Sequence, residues 1–112
     1  TLQGVGFSDE HDQISVEWSA GALLALTTLQ KFYDQKDLQI VQEVKADFDS
    51  IRQGIDALRF SAGDGLAGYA YSLRRKWIPF GWFSHDPGIL SLASTCWVLM
   101  IDNGMNPFIL EE

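Results

Sequence analysis

The segment from residue 41 to residue 58 carries the most regular apolar pattern in the chain. Its apolar side chains recur at steps of three and four residues: Val41, Val44, Phe48, Ile51, Ile55 and Leu58. Charged side chains, among them Glu43, Lys45 and Asp47, stand between these positions. The spacing matches the turn of an α-helix, so it predicts an amphipathic helix with one dry face and one solvated face.

Two further segments, residues 16–33 and 89–101, are apolar nearly all round. A helix of this kind has to be covered on several sides, so we expect both segments to be packed helices. The second run is also compatible with a buried strand, but its length and its Ala, Ser, Leu and Met content favour a helix. Trp18, Trp97 and the lone Cys96 are expected to lie in the core.

Capping residues mark the ends of these predicted helices. Ser15 and Asp37 precede the first two helices, and Ser84 or Asp86 is expected to cap the approach to the third. Gly104 is expected to end the third helix in the left-handed conformation. Because only residues 34–37 separate the first two helices, these helices should form an antiparallel hairpin.

The remaining segments are predicted to connect helices. Residues 61–68 contain three glycines and are expected to form a loop, and residues 69–76 are compatible with a short helix or an extended segment. Residues 77–88, WIPFGWFSHDPG, are expected to form an aromatic loop in front of the third helix. The predicted fold class is therefore all-α, built from antiparallel helical hairpins.

Charge and composition exclude several classes of function. The chain has 15 acidic and 8 basic residues, a net charge of -7, which disfavours nucleic acid and is compatible with a neutral sugar or a cationic partner. His11, His85 and Cys96 have no metal-ligand spacing, so we expect neither a metal nor another cofactor. No stretch reaches the roughly 20 apolar residues of a membrane span, so no membrane partner is expected.

Four segments carry a family resemblance: ISVEWSAGALLAL, FDSIRQGIDAL, GWFSHDPGILSLASTCWVLM and NGMNPF. Taken together they resemble the last hairpins of the α/α-toroid, six-hairpin-type glycoside hydrolases and polysaccharide lyases. In such proteins an acidic residue opens an inner helix and an aromatic loop precedes the next helix. Terpene-cyclase-like toroids have a similar pattern of packed helices. A small-molecule-binding toroid of that type is therefore a further alternative.

The resemblance implies a domain organisation. A complete toroid needs many more helices than this chain supplies. Residues 1–112 are therefore expected to be a single helical domain or the terminal fragment of a larger helical toroid. The expected partners are a glycan or oligosaccharide and either the remainder of a larger polypeptide or a second chain.

Glu17 is the candidate catalytic residue, because it lies in the first turn of an otherwise apolar helix, where a substrate-facing acid would have a raised pKa. The alternative is an acid placed favourably at a helix N-terminus. Glu10 is a candidate substrate-binding residue at a polar cleft edge, and the alternative is a solvated loop. Glycosidic cleavage commonly needs two carboxylates.

The aromatic loop supplies the other candidate substrate-binding residues: Trp77, Trp82, His85 and Asp86. Sugar rings have apolar faces that stack on indole, and His and Asp side chains bind hydroxyl groups. The alternative is structural, in that the aromatic side chains would cover the end of the helical core and Asp86 would cap a helix.

Two hypotheses follow from the sequence. In the first, the chain is part of a carbohydrate-active helical-toroid protein that binds and possibly cleaves a glycan, and secretion or a periplasmic location would suit it. In the second, it is a non-enzymatic helical protein-interaction domain that docks a partner chain through the aromatic loop and the third helix.

Overall fold

A computed structural model of the chain describes residues 1–9 and 13–109. It confirms the first two helices, α1 (Val16–Tyr33) and α2 (Leu38–Asp56). A short turn joins them, and they pack against each other along their lengths, so they form the predicted antiparallel hairpin.

Both predicted N-caps are confirmed. The Ser15 hydroxyl accepts a hydrogen bond from the Trp18 amide at 3.4 Å, and the Asp37 carboxylate accepts one from the Ile40 amide at 3.1 Å. Each bond satisfies an amide that has no partner within the first helical turn.

The dry face of α2 packs against α1, with Val44 and Ile55 buried and Phe48 and Ile51 partly buried. Leu58 is also buried, but it lies just beyond the end of the helix at Asp56. The apolar period therefore identifies the packed face of α2 correctly, but it overestimates the length of the helix by about half a turn.

Residues 59–70 form a β-hairpin where a loop was predicted. Strand β1 (Arg59–Gly63) pairs antiparallel with β2 (Leu66–Ala70), with an irregularity between Ser61 and Gly63. Asp64 and both flanking glycines have positive φ, which suits the tight connection between two strands. The Gly-Asp-Gly cluster is thus the turn of a hairpin.

The aromatic segment also forms a small hairpin, in which β3 (Trp77–Ile78) pairs antiparallel with β4 (Trp82–Phe83). Gly81, with a φ of 108°, lies in the turn that connects the two strands. The short strand β5 (Leu90–Ser91) then adds to the free edge of β2, so the larger sheet has the order β1-β2-β5.

The third helix, α3 (Leu92–Asp102), begins three residues later than predicted, because residues 90–91 pair with the sheet. Its N-cap is Ser91, whose hydroxyl accepts from the Ser94 amide at 3.1 Å, so the prediction that Ser84 or Asp86 caps it is wrong. Gly104 has the expected left-handed conformation, with a φ of 68°.

The core lies between α1, the end of α2, the larger sheet and α3. Its buried members are Ile14, Val16, Leu23, Ile55, Leu58, Tyr69, Ala70 and Val98. Burial of each large aliphatic side chain contributes about 1.5–3 kcal/mol. The core therefore joins the helical hairpin to the sheet.

The N-terminal segment lies across α2 and the start of α1. The Val5 carbonyl accepts from the Ser15 amide, and the Val5 amide donates to the Ser19 hydroxyl, both at 2.8 Å. The carbonyl of Gln3 passes so close to Gly54 that a Cβ there would meet it at 1.7 Å. Only glycine fits this contact.

The fold corrects the predicted fold class. Residues 1–9 and 13–109 contain three helices and two small antiparallel sheets, which make a mixed α/β domain, so the prediction of an all-α domain forming part of an α/α toroid is wrong. The assignment as a glycoside hydrolase depended on the toroid, and this fold gives it no support. Cys96 and Trp18 are exposed, so their predicted places in the core are also wrong.

Candidate functional site

Tyr71 occupies the centre of the candidate site. It directly follows β2, and its backbone carbonyl accepts a hydrogen bond from the Val16 amide at 3.1 Å. An antiparallel bridge between Ser15 and Ser72 reinforces this connection. The end of the strand is thereby held against the start of α1, which carries Glu17.

Three aromatic rings surround the side chain of Tyr71. Phe7 stacks on it with centroids 5.4 Å apart, and His85 meets it edge-on at 6.1 Å. Trp82 lies close enough to the Tyr71 hydroxyl for its indole N–H to lower the pKa of the phenol. We refer to Phe7, Tyr71, Trp82 and His85 as the aromatic cluster.

The acid–base properties of Tyr71 and Glu17 are linked. Burial raises the pKa of the Tyr71 phenol, the negative charge of Glu17 raises it further, and the hydrogen bond with Trp82 lowers it. Burial also raises the pKa of the Glu17 carboxyl. A half-buried acid thus lies at the edge of the aromatic cluster.

A second feature adjoins the first through Glu17. An open hollow of about 400 Å³ lies between α1 and the end of α3, and we refer to it as the Trp97 hollow. Its lining residues are Glu17, Trp18, Gly21, Ala22, Trp97 and Phe108. The rings of Trp97 and Phe108 lie 5.5 Å apart, centroid to centroid, and are inclined by 31°.

The two tryptophans of the aromatic segment lie on opposite faces of the β3–β4 hairpin. Directly paired residues share a face, so Trp77 lies with Phe83, whereas Trp82 lies with the buried Ile78. Trp77 meets Phe83 edge-on at 5.1 Å, and Trp77 and Trp82 are 51% and 44% exposed. They therefore do not form a single wall.

The structure brings together some of the predicted site residues. His85 meets the ring of Tyr71, and Glu17 and Trp82 are near enough to shift the pKa of its phenol. Trp77 instead meets Phe83. Asp86 is exposed and lines neither the aromatic cluster nor the Trp97 hollow, and its backbone carbonyl accepts from the Ile89 amide. Glu10 lies outside the described residues.

Sequence reasoning missed Tyr71 and the walls of the Trp97 hollow. Trp18 directly follows Glu17, yet it is 56% exposed, because the α1 residues around it that pack inward are Val16, Ser19 and Ala20. A helical projection centred on the buried Leu23 would have placed Trp18 on the open side. No local signal points to Tyr71, because a long-range backbone contact creates its environment.

The described residues include no set of three side chains suited to hold a metal ion. In the same part of the chain, no helix has the length and apolar character needed to span a membrane. Comparisons with protein-family models, curated proteins and solved structures found no match to this chain. The geometry of the site is therefore the basis for any functional proposal.

Proposed function

We propose that the chain binds a glycan at the aromatic cluster. The observation that carries this proposal is the packing of Phe7 and His85 against the ring of Tyr71, from segments far apart in sequence. Trp82 and the negative charge of Glu17 act on the hydroxyl of the same tyrosine. Carbohydrate sites combine aromatic faces with a few directed polar groups. Trp82 offers an exposed indole face, and Glu17, Tyr71 and His85 offer partners for sugar hydroxyls.

The proposal is confined to binding. Hydrolysis of a glycosidic bond generally requires a pair of carboxyl groups on either side of that bond. Among the described residues, the aromatic cluster and the Trp97 hollow contain a single carboxylate, Glu17. The geometry therefore supports recognition of a sugar more strongly than chemistry on it.

Titration of tryptophan fluorescence with a panel of oligosaccharides tests the proposal. We expect a bound sugar to change the fluorescence, and Trp82→Ala to abolish the response. Trp77→Ala is the matched control, because it removes the same side chain from the opposite face of the hairpin. Absence of a response across the panel, or equal loss in both variants, would contradict glycan binding at the aromatic cluster.

The exposed side of α3 favours a second candidate function, protein interaction. Leu92, Cys96 and Leu99 follow helical spacing on one side of α3, and the two leucines are 81% and 54% exposed. Apolar helices are normally covered. The occupant that fits is an uncharged apolar helix face of another polypeptide segment, either the remainder of a larger polypeptide or a second chain.

Light scattering during gel filtration tests this second candidate for the case in which the occupant is another copy. If copies associate through α3, Leu99→Gln should shift the protein toward the monomer. Leu38→Gln is the control, since Leu38 is also an exposed leucine and lies at the start of α2. A monomer unaffected by either substitution would exclude self-association through α3.

A further inference from the structure

The Trp97 hollow differs chemically from the aromatic cluster. Its walls are the rings of Trp18, Trp97 and Phe108, and its remaining surface is contributed by Gly21 and Ala22. Glu17 carries the one charge among the described residues that line it. The hollow is therefore an open depression lined by aromatic side chains and one carboxylate.

A lining of this kind favours a cation over a neutral sugar ring. The face of an aromatic ring attracts a cation, and the attraction is worth about 2 kcal/mol or more when the cation is desolvated. A neutral sugar ring carries several hydroxyl groups, and each one buried without a partner costs free energy. The hollow offers too few polar groups to satisfy them, whereas one carboxylate suffices for one ammonium group.

The net charge of the molecule also favours a cationic ligand. The net charge of -7 attracts cations and repels anions. The hollow has no basic lining residue among those described. Arg75 lies over Phe83, with its guanidinium carbon 4.8 Å from the ring centroid.

We propose that the Trp97 hollow binds an organic ammonium group, and that the glycan held at the aromatic cluster carries this group as an amino sugar. The second half of the proposal rests on the proposed function. Glu17 lines the hollow and its charge acts on Tyr71 of the aromatic cluster, so one ligand would place its amine in the hollow and a neighbouring ring against Trp82. A free quaternary ammonium compound presents the same cationic chemistry without the sugar.

Isothermal titration calorimetry with four probes separates these sources. Two probes are a β-1,4-linked glucosamine oligosaccharide and the glucose oligosaccharide of the same length. The other two are tetramethylammonium chloride and its neutral analogue of similar shape, tert-butanol. We expect the amino oligosaccharide to bind at least about tenfold more tightly than its neutral counterpart, and tetramethylammonium to bind more tightly than tert-butanol.

Three variants locate the binding. Glu17→Gln should remove most of the preference for both cationic probes while leaving the hollow its shape. Gly21→Leu should block the hollow without removing any wall, because the space above Gly21 is open within 4 Å. Trp77→Ala, on the opposite face of the β3–β4 hairpin from Trp82, should leave all four affinities unchanged.

Each outcome decides one part of the proposal. Equal binding of the two oligosaccharides would overturn the ammonium site and leave glycan binding standing. Binding of tetramethylammonium without either oligosaccharide would support the ammonium site and overturn the proposed function. Failure of all four probes, or a cation preference that survives both Glu17→Gln and Gly21→Leu, would overturn the ammonium site.

Discussion

Gly54→Ala is expected to destabilise the domain although it places a better helix former in α2. The new methyl group would meet the carbonyl oxygen of Gln3 at 1.7 Å, and that oxygen would have to retreat beyond 3.0 Å. The carbonyl belongs to backbone and not to the end of a flexible side chain. The N-terminal segment therefore has to shift as a unit.

The magnitude follows from what holds that segment. Val5 exchanges hydrogen bonds with Ser15 and Ser19, and two such bonds contribute about 2 kcal/mol. Burial of the Phe7 side chain adds about 2 kcal/mol, so full detachment would cost about 4 kcal/mol. Strain from overpacking costs about 1–3 kcal/mol when the segment moves only locally.

The higher helix propensity of alanine partly offsets this loss of stability. Alanine is favoured over glycine inside a helix by about 1 kcal/mol. The net destabilisation is then at most about 2 kcal/mol for a local shift and about 3 kcal/mol for full detachment, which lowers the midpoint of thermal unfolding by up to about 12 °C in a chain of this size. Thermal unfolding followed by circular dichroism, together with urea titration, measures both quantities.

Gly21→Ala is the matched control, because Gly21 also lies within a helix and a methyl group there meets nothing within 4 Å. It should stabilise the domain by about 1 kcal/mol. In a chain lacking residues 1–3, Gly54→Ala should stabilise as well, because its clash partner is gone. Equal stability changes at Gly54 and Gly21 in the full chain would refute the reasoning.

Three further predictions address buried polar groups and charges. Ser94 is buried, and its hydroxyl has no hydrogen-bond partner within the described part of the chain, so Ser94→Ala should be neutral or stabilise by about 1 kcal/mol in urea titrations. Ser19→Ala, which removes a bonded hydroxyl, should destabilise by a similar amount, and the reverse order would contradict this account. Burial raises the pKa of the Glu17 carboxyl in the folded state, so the protonated carboxyl favours folding. This contribution to the free energy of unfolding is complete below the ordinary pKa of 4.5 and is lost as the pH rises through the raised pKa of the folded state. Glu17→Gln should therefore gain stability relative to the unsubstituted chain between acidic and neutral pH, and parallel pH profiles would sink the prediction. Arg52 of α2 forms an ion pair with Asp102 at the end of α3, and both side chains are partly solvated. A double-mutant cycle with Arg52→Met and Asp102→Asn should therefore give a coupling free energy below about 1 kcal/mol. A larger coupling would require a desolvated pair and would contradict this prediction.

The helices were largely predictable because their signals are local. The apolar period in α2, the caps at Ser15 and Asp37 and the left-handed Gly104 all depend on residues within a few positions of one another. The first hairpin also had a local signal in the Gly-Asp-Gly turn. That signal was misinterpreted because every residue of β1 is exposed, so the strand has no buried face that would mark it.

The candidate site was predictable only in part. Glu17, Trp82 and His85 were singled out by residue type, but nothing in the sequence indicates that Tyr71 brings them together. The pairing of Trp77 with Phe83 depends on the register of a hairpin, and a shift by one residue would pair Trp77 with Trp82 and place both tryptophans on one face.

The sequence by itself determined where α1 and α2 begin, that Gly104 follows the end of α3 and which face of α2 is dry, because backbone capping and side-chain periodicity act over one or two turns. Tertiary structure alone decided that the end of β2 lies against the start of α1 and that Trp18 faces an open hollow. Those arrangements depend on contacts between segments more than fifty residues apart, such as the bond from Val16 to Tyr71. Local spacing carries no information about such contacts, because they form only when the helical hairpin and the sheet share one core.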